Sequence, residues 1–400
     1  MPSSTNKRLY YPATSVAIKP GTDVNHTYSD NAELVNGLQS MGVGADNNLT
    51  PLFQLGVLEI YENFEELPDI QITLNKLLDG NPLIYHLATV DATAPSLVGR
   101  SAVNAFVGAA IFSDTSANAS GTPLTMFSCS GMFVDSISYN MSVDGQFSED
   151  VTMVGNNRIW RKESLSGPPT YGATDHMTLP TIAFSAAMPV SDTPTATNGI
   201  ASSEDMLFEF TGVPDLDANL MVDDADTTVL PPEVYGIGNS GLNEKTNGTE
   251  YDSAIQSISI STSLSRENLN ELGRKGPYHK SVTFPVEVTT EIQVITKEGD
   301  LVSSQEEGIY SGVGAGNCAG VGSNLKNRTI RIATCEGFRA YLGRKNKLRS
   351  VNTSGGDTDG GNVTVSYSYT NFNDFTIMHE NDPNSSYDWV DRASYLEESV

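Results

Sequence analysis

The six residues Val134-Asp135-Ser136-Ile137-Ser138-Tyr139 are nearly repeated at Ile255-Gln256-Ser257-Ile258-Ser259-Ile260, and each copy opens a long segment of small, β-branched and polar residues. Successive residues of a strand point to opposite faces of a sheet. In the first copy Phe133, Ser136, Ser138, Asn140 and Ser142 alternate approximately with Val134, Ile137 and Tyr139. The phrase therefore predicts strands with one apolar face and one Ser/Asn face. A chain that repeats such strands is built to present a surface rather than to enclose a reaction centre.

The rest of the chain extends this β reading. Residues 1–50 have weak periodicity and many Asn, Gly and Ser, and are expected as an N-terminal arm. Residues 51–160 read as a first ordered block, with strands at 55–61, 70–74, 103–112, 124–129, 133–142 and 147–154. Asp144-Gly145 predicts a hairpin joining the last two, because both residues tolerate positive φ. Residues 161–252, with Gly167-Pro168-Pro169, a Thr/Ala/Ser/Pro-rich run and five aspartates from Asp215 to Asp226, read as a loop-rich outer insertion. A second ordered block at 253–380 carries strands at 255–264, 282–295, 328–335, 338–342, 348–351, 363–369 and 373–378. Pro285 lacks a ladder donor and points to an edge or bulge. Ser265, Glu267 and Gly273 have the boundary chemistry of one short helix over 265–273. Residues 381–400 form a C-terminal tail. The expected class is mainly β.

Charge narrows the functions open to such a chain. Lysine and arginine total 23 against 49 acidic residues, a formal net charge of −26 in 400 residues. That excess opposes binding to a phosphate backbone, which depends on cationic neutralisation. It suits a surface that nucleic acid passes without sticking. No apolar run follows the first eight residues, so a secretory signal is not expected. The longest apolar stretch, 102–112, is far short of the about 20 residues of a membrane span. Cys129, Cys318 and Cys335 are too few and too far apart for a disulfide framework or a zinc module.

Catalytic and cofactor chemistry finds little footing. His26, His86, His176, His279 and His379 lack metal-ligand spacing and read as surface or packed residues. Gly314-Ala315-Gly316-Asn317-Cys318-Ala319 matches a loose dinucleotide pattern, but the glycine-rich residues after it do not read as a helix, and a loop is the better reading. The acidic run from Asp215 has calcium-loop spacing with Leu220 where glycine is required, so a solvated acidic loop explains it. Glu287 and Glu291 can share one strand face as a carboxylate pair, yet no motif supports hydrolysis. No catalytic, cofactor-binding or metal residue is assigned. Positive charge instead gathers at Arg274, Lys275, Arg339, Arg344, Lys345, Lys347 and Arg349. In so acidic a chain these are candidate contacts with acidic surfaces of neighbouring copies, giving register and orientation.

Residues 133–139, 144–156, 264–278 and 282–289 together resemble major tail tube proteins of long-tailed bacteriophages, with the likeness spread over 52–160 and 253–380. The resemblance implies a β-sandwich whose strands join those of neighbouring subunits in a ring, commonly hexameric. Such rings stack into a hollow tube through which the genome is ejected. It further implies a virion tail location after synthesis in the host cytoplasm, other tail proteins as partners, DNA passing the lumen without specific binding, and neither membrane nor cofactor. Closing strands into a barrel removes exposed edges, which agrees with the polar-faced strands. The loop-rich insertion keeps a second reading open, another virion structural protein such as a capsid, decoration or host-binding subunit.

Overall fold

The structure, a computed structural model, describes residues 14–21, 32–89, 92, 96–112, 124–162, 200–203, 206–212, 254–273, 276–295, 328–334, 337–343, 345–355 and 362–379. The first stretch of chain contributes β1 (Thr14–Gly21), β2 (Glu33–Leu34), β3 (Leu38–Asp46), β4 (Leu49–Phe53), β5 (Ile60–Glu65) and β6 (Asp69–Leu77). Two short helices follow, α1 (Ile84–Thr89) and α2 (Leu97–Ser101), and then β7 (Asn104–Ile111), β8 (Thr125–Ser142), β9 (Ser148–Gly155) and β10 (Asn157–Lys162). The remainder supplies β11 (Met206–Gly212), β12 (Ala254–Ser263), β13 (Arg266–Leu269), β14 (His279–Val282), β15 (Glu287–Ile295), β16 (Arg328–Thr334) and β17 (Phe338–Tyr341). It closes with β18 (Lys347–Ser354), β19 (Thr364–Phe372) and β20 (Thr376–His379). The fold is mainly β, and among the described residues every strand pairing is antiparallel.

The long strand β8 serves two sheets. Its first half pairs β7 on one side and β10 on the other, in a small sheet continued by β1 and β2. Its second half lies at the centre of an eight-stranded sheet with the order β3-β6-β9-β8-β12-β15-β19-β18. The change of partners falls at Gly131, whose φ of 62° only glycine adopts freely. A strand that switches sheets in this way makes the corner of a sandwich.

The eight strands divide into two sets of four with the same connectivity. In the first set, chain order β3, β6, β8, β9 becomes spatial order β3-β6-β9-β8; in the second, chain order β12, β15, β18, β19 becomes β12-β15-β19-β18. Irregularities recur at matching places. β3 is bulged between Leu38 and Ser40 where it meets β6, and β12 between Ile255 and Ser257 where it meets β15. β8 is bulged between Val134 and Ser136 against β9, and β18 between Leu348 and Ser350 against β19. A two-stranded hairpin joins the first two strands of each set, β4–β5 in one and β13–β14 in the other. Each set also has a companion sheet, β1-β7-β8-β10 and β11-β16-β17-β20.

One apolar core unites these layers. Alternation along β6 sends Ile70, Ile72 and Leu74 inward, and β9, β15 and β19 follow the same period. Val134, Ile137, Tyr139, Ile258, Ile260 and Ile292 meet Phe338, Ala340 and Ile377 of the second companion sheet in the same cluster. Each such fully buried aliphatic side chain contributes roughly 1.5–3 kcal/mol. A smaller cluster of Ala17, Phe106, Ala110 and Phe112 lies on the other side of β1 and β7.

Several sequence expectations change. Residues 14–21 and 38–46 of the expected arm are paired strands, and β1 is buried along most of its length. Of the strand expected at 55–61, residues 55–59 form the tip of the β4–β5 hairpin and only 60–61 enter β5, because apolar residues that face no core lose their strand phase. Residues 266–269 form a strand instead of the expected helix, since they pair with 279–282. Pro285 lies in the connection between β14 and β15, which frees β15 to pair on both sides as an interior strand. The helices at 84–89 and 97–101 were not expected; Ser96 caps the second, its hydroxyl accepting from the Gly99 N–H at 3.3 Å. The hairpin joining 133–142 to the strand after the 143–146 turn is as expected, but neither Asp144 nor Gly145 takes the positive φ that motivated it. Most of the 161–252 region and the whole 381–400 tail lie outside the described residues.

Candidate functional surface

The uncovered face of the eight-stranded sheet is the main functional feature. One register row runs across all eight strands: Ser40, Asn75, Asp150, Ser138, Ser261, Thr289, Thr370 and Lys347. The neighbouring row on the same face carries Asn140, Ser259, Glu291 and Ser368. Most inward residues of the same strands are apolar, so the period-two pattern separates a core face from a face of hydroxyl, amide and carboxylate groups.

Hydrogen bonds hold these side chains in a flat array. Asn75 donates to Asp150 Oδ1 at 2.7 Å and Asn140 to Asp150 Oδ2 at 3.3 Å. Ser257 donates to Gln293 at 3.1 Å, and the Ser354 and Thr364 hydroxyls are 2.8 Å apart. Asp69, Asp150, Glu287 and Glu291 give the face its negative sign, while Lys347 and Arg349 lie at its β18 border, where Arg349 bonds Glu287. A shallow groove crosses the middle of the face, lined by Ser136, Ser138, Asp150, Ser261, Thr289 and Glu287. This array can hold water and repel a polyanion, but it offers no nucleophile with an adjacent base.

Beneath the face, the first set of strands hides a charged network. Glu149 points inward and accepts hydrogen bonds from the backbone N–H of Ile84 (2.7 Å) and Tyr85 (3.1 Å) and from the Tyr139 hydroxyl (3.0 Å). It thus satisfies the first turn of α1, whose N–H groups have no partner within the helix. Burial pushes the Glu149 carboxyl above its ordinary range, and the two N–H groups and Lys76 oppose that shift. Burial and the adjacent Glu149 also push Tyr139 well up. Lys76, fully buried, donates to the Leu77 carbonyl at 3.0 Å and pairs with Asp79.

The two connecting hairpins stand in opposite environments. Arg266 of β13 donates to the carbonyls of Val134 (2.6 Å), Lys280 (2.8 Å) and Ser101 (2.9 Å), and its guanidinium lies 4.9 Å from the centre of the Phe133 ring. Burial lowers its pKa to about 10. His279 meets Phe133 edge-on at 5.1 Å, and Lys280 is 4.0 Å from Asp69. The β13–β14 hairpin is therefore fastened onto the first set of strands. The β4–β5 hairpin touches no core: all residues of both its strands are exposed, and Leu55 and Leu58 at its tip are 101% and 100% exposed.

Of the seven candidate basic contacts, Lys345, Lys347 and Arg349 are exposed at or beside β18, the last strand of the sheet. Arg339 is half-buried in β17. Arg274, Lys275 and Arg344 lie outside the described residues, as do the glycine-rich loop at 314–319 and the acidic run at 215–226. Glu287 and Glu291 share the polar face as the alternation requires. Among the described residues no cluster of His, Cys, Asp or Glu could hold a metal ion. In the same residues no helix is long and apolar enough to cross a membrane. Glu149, Lys76 and Arg266 were not singled out from sequence. Lys76 and Glu149 did carry a signal, since both fall in the inward phase of their strands.

No family model and no curated protein matches this sequence. Among solved structures, the chain is similar to one in an extracellular contractile injection system, the PVC sheath–tube complex in its extended state. That match has 10% identity and a TM-score of 0.28, over 40% of this chain and 94% of the other. A second, in the PVC sheath/tube terminator in the extended state, has 12% identity and a TM-score of 0.27, over 40% of this chain and 99% of the other. Likenesses this distant decide neither fold nor function.

Proposed function

We propose that this chain is a structural subunit of a viral tail tube, whose copies join side by side into rings that stack around a channel for the genome. The observation that carries the reading is the eight-stranded sheet itself, which presents one continuous hydroxyl, amide and carboxylate face between two border strands, β3 and β18. A row of free strand edges is a template for pairing with another chain, and closure into a barrel removes it. An inward face rich in Ser, Thr and Asn stays wet, and its carboxylates keep a phosphate backbone from adhering. The resemblance of residues 133–139, 144–156, 264–278 and 282–289 to major tail tube proteins supports the same role. The subunit would be made in the host cytoplasm and reside in the virion tail beside other tail proteins, without catalysis of its own.

Negative-stain electron microscopy of the purified protein, across a range of concentration and salt, tests the reading. Tubes or stacked rings of constant bore are expected. A chain that stays monomeric under every condition, or one located on the head of purified particles by immunogold labelling, would overturn it.

A further inference from the structure

Two observations point to how copies join. The two four-strand sets have the same strand order and the same bulges, and within one chain they are already joined edge to edge, β8 of the first to β12 of the second. Among the described residues, the set that begins with β3 has no partner on that side, and the set that ends with β18 has none on the other. We propose that the chain is a tandem pair of equivalent units, and that the β8–β12 seam inside it is the template for the seam between copies, with β18 of one copy pairing antiparallel with β3 of the next.

The template sets the register. In the internal seam Ile137 faces Thr262, Ser138 faces Ser261 and Asn140 faces Ser259. Matching the bulges places Ser138 on Asn352 and Ile137 on Val351 in the second set, and Ser261 on Gly44 and Thr262 on Ala45 in the first. Val351 of one copy then lies opposite Ala45 of the next, and Asn352 opposite Gly44. The charges agree, because Lys347 and Arg349 of β18 approach Asp46 at the end of β3 and give the seam its orientation.

The hairpins supply independent support. β13–β14, which joins the first two strands of the second set, reaches back across the internal seam and is clamped there by Arg266. Its counterpart β4–β5 joins the first two strands of the first set, and the surface it would reach by the same geometry belongs to another copy. This accounts for its exposed Phe53, Leu55, Val57, Leu58, Tyr61 and Phe64, which no described residue covers. The charges are reversed between the seams. Arg266 approaches Asp135 and Lys280 approaches Asp69 inside the chain, whereas β5 brings Glu62 and Glu65 toward the Lys347 and Arg349 side of the neighbour. No lysine or arginine occurs between Lys19 and Lys76, so that hairpin does not fit an anionic partner. Reversed charges keep each hairpin on its own seam. Every ring then holds twice as many units as chains, and six units would need three chains.

This inference deepens the tube reading and rests on it for the closed ring, but not for the seam. A heterologous contact of this kind closes into rings or runs on as open filaments. The experiment mixes full-length chains carrying Ala45→Cys with chains carrying Val351→Cys under mild oxidation. A parallel mixture uses Ala45→Cys with Ser354→Cys, three residues out of register. Disulfide formation needs Cα atoms within about 7 Å, so it reads register directly. Covalent dimers from the first mixture, at least tenfold above the second and above either variant alone, are the expected result. Tubes without that cross-link would overturn the seam and leave the tube reading standing. The cross-link in open filaments, with no rings, would support the seam and overturn the tube reading. Neither cross-link nor tubes would overturn both. In images averaged without imposed symmetry, twice as many similar units as the chains counted by native mass spectrometry are expected, and equal numbers would overturn the tandem pair.

Discussion

The two four-strand sets share strand order and bulge positions, yet differ in what fills corresponding sites. Lys76 of β6 corresponds through the pairing registers to Val294 of β15, and Glu149 of β9 to Val365 of β19. The first set buries a charged network that caps α1, and the second fills the same layer with Val294, Val365, Tyr367 and Tyr369. The hairpins diverge as sharply, one clamped to the sheet and one exposed. Backbone order can thus be kept while side-chain chemistry is exchanged, because a sheet demands only that inward and outward phases be respected. A charged residue is tolerated in the inward phase only where partners satisfy it.

The largest expected effect falls on the exposed hairpin. Replacing both Phe53 and Leu58 by aspartate should abolish sedimenting assemblies, while circular dichroism and the melting temperature stay within about 2 °C of the parent, since exposed positions away from special contacts shift stability little. Assemblies that form normally from this variant would break the contrast between a docked and a donating hairpin.

Next comes the buried charge. Lys76→Met removes the cation facing Asp79 and Glu149, and breaking a buried pair costs about 3–5 kcal/mol in denaturant unfolding. Val294→Ala at the corresponding site loses methyl groups and leaves a small cavity, for about 2 kcal/mol. Equal losses at the two sites would show that the cores are held in the same way.

A further comparison sets Arg266 against Leu49, the first residues of the corresponding hairpins. Arg266→Ala leaves the carbonyls of Val134 and Ser101 short of a donor and should cost about 3 kcal/mol, whereas Leu49→Ala in the monomer should cost less than about 0.5 kcal/mol. In hydrogen exchange, Arg266→Ala should raise the opening of 279–282 toward that expected of the exposed strand 60–65.

The smallest effect is on pH dependence. Burial, then the nearby Arg266, lowers the His279 pKa below its ordinary 6.5. A group whose folded pKa is depressed contributes stability that is present above the unfolded pKa and is lost as pH falls through the folded value. The β13–β14 hairpin should therefore loosen below about pH 6.5, seen as faster exchange at its amides. The β4–β5 hairpin has no histidine, and its exchange, once corrected for intrinsic rate, should not follow that pattern. A His279→Gln variant that keeps the acid-induced loosening would assign it to another group.

Much of the fold was legible in alternation. The strands near 70–74, 133–142, 255–264 and 363–369 and the pairing of the hairpin across 143–146 follow from inward and outward phases, which are local properties. The short helix at 265–273 was misplaced because its cap residues are equally at home in a hairpin whose partner strand lies beyond a loop. The polar face was visible as Ser and Asn at every second position, and the basic stretch at 345–349 falls at a sheet border. That Arg266 reaches three carbonyls far apart in sequence, or that Glu149 caps a helix, depends on long-range geometry that no local window contains.

The near-repeat of 134–139 at 255–260 shows where sequence stops. By itself it determined that two segments share a strand habit and a polar face. The tertiary structure decided that they are antiparallel neighbours across the central seam, with Ser138 opposite Ser261, and not corresponding strands of the two sets. The strands that do correspond, β3 with β12 and β8 with β18, are matched by pairing order and bulges while their residues differ. The physical reason is that alternation fixes which face a residue takes, whereas the partner of a strand is chosen by burial and edge pairing over the whole sheet.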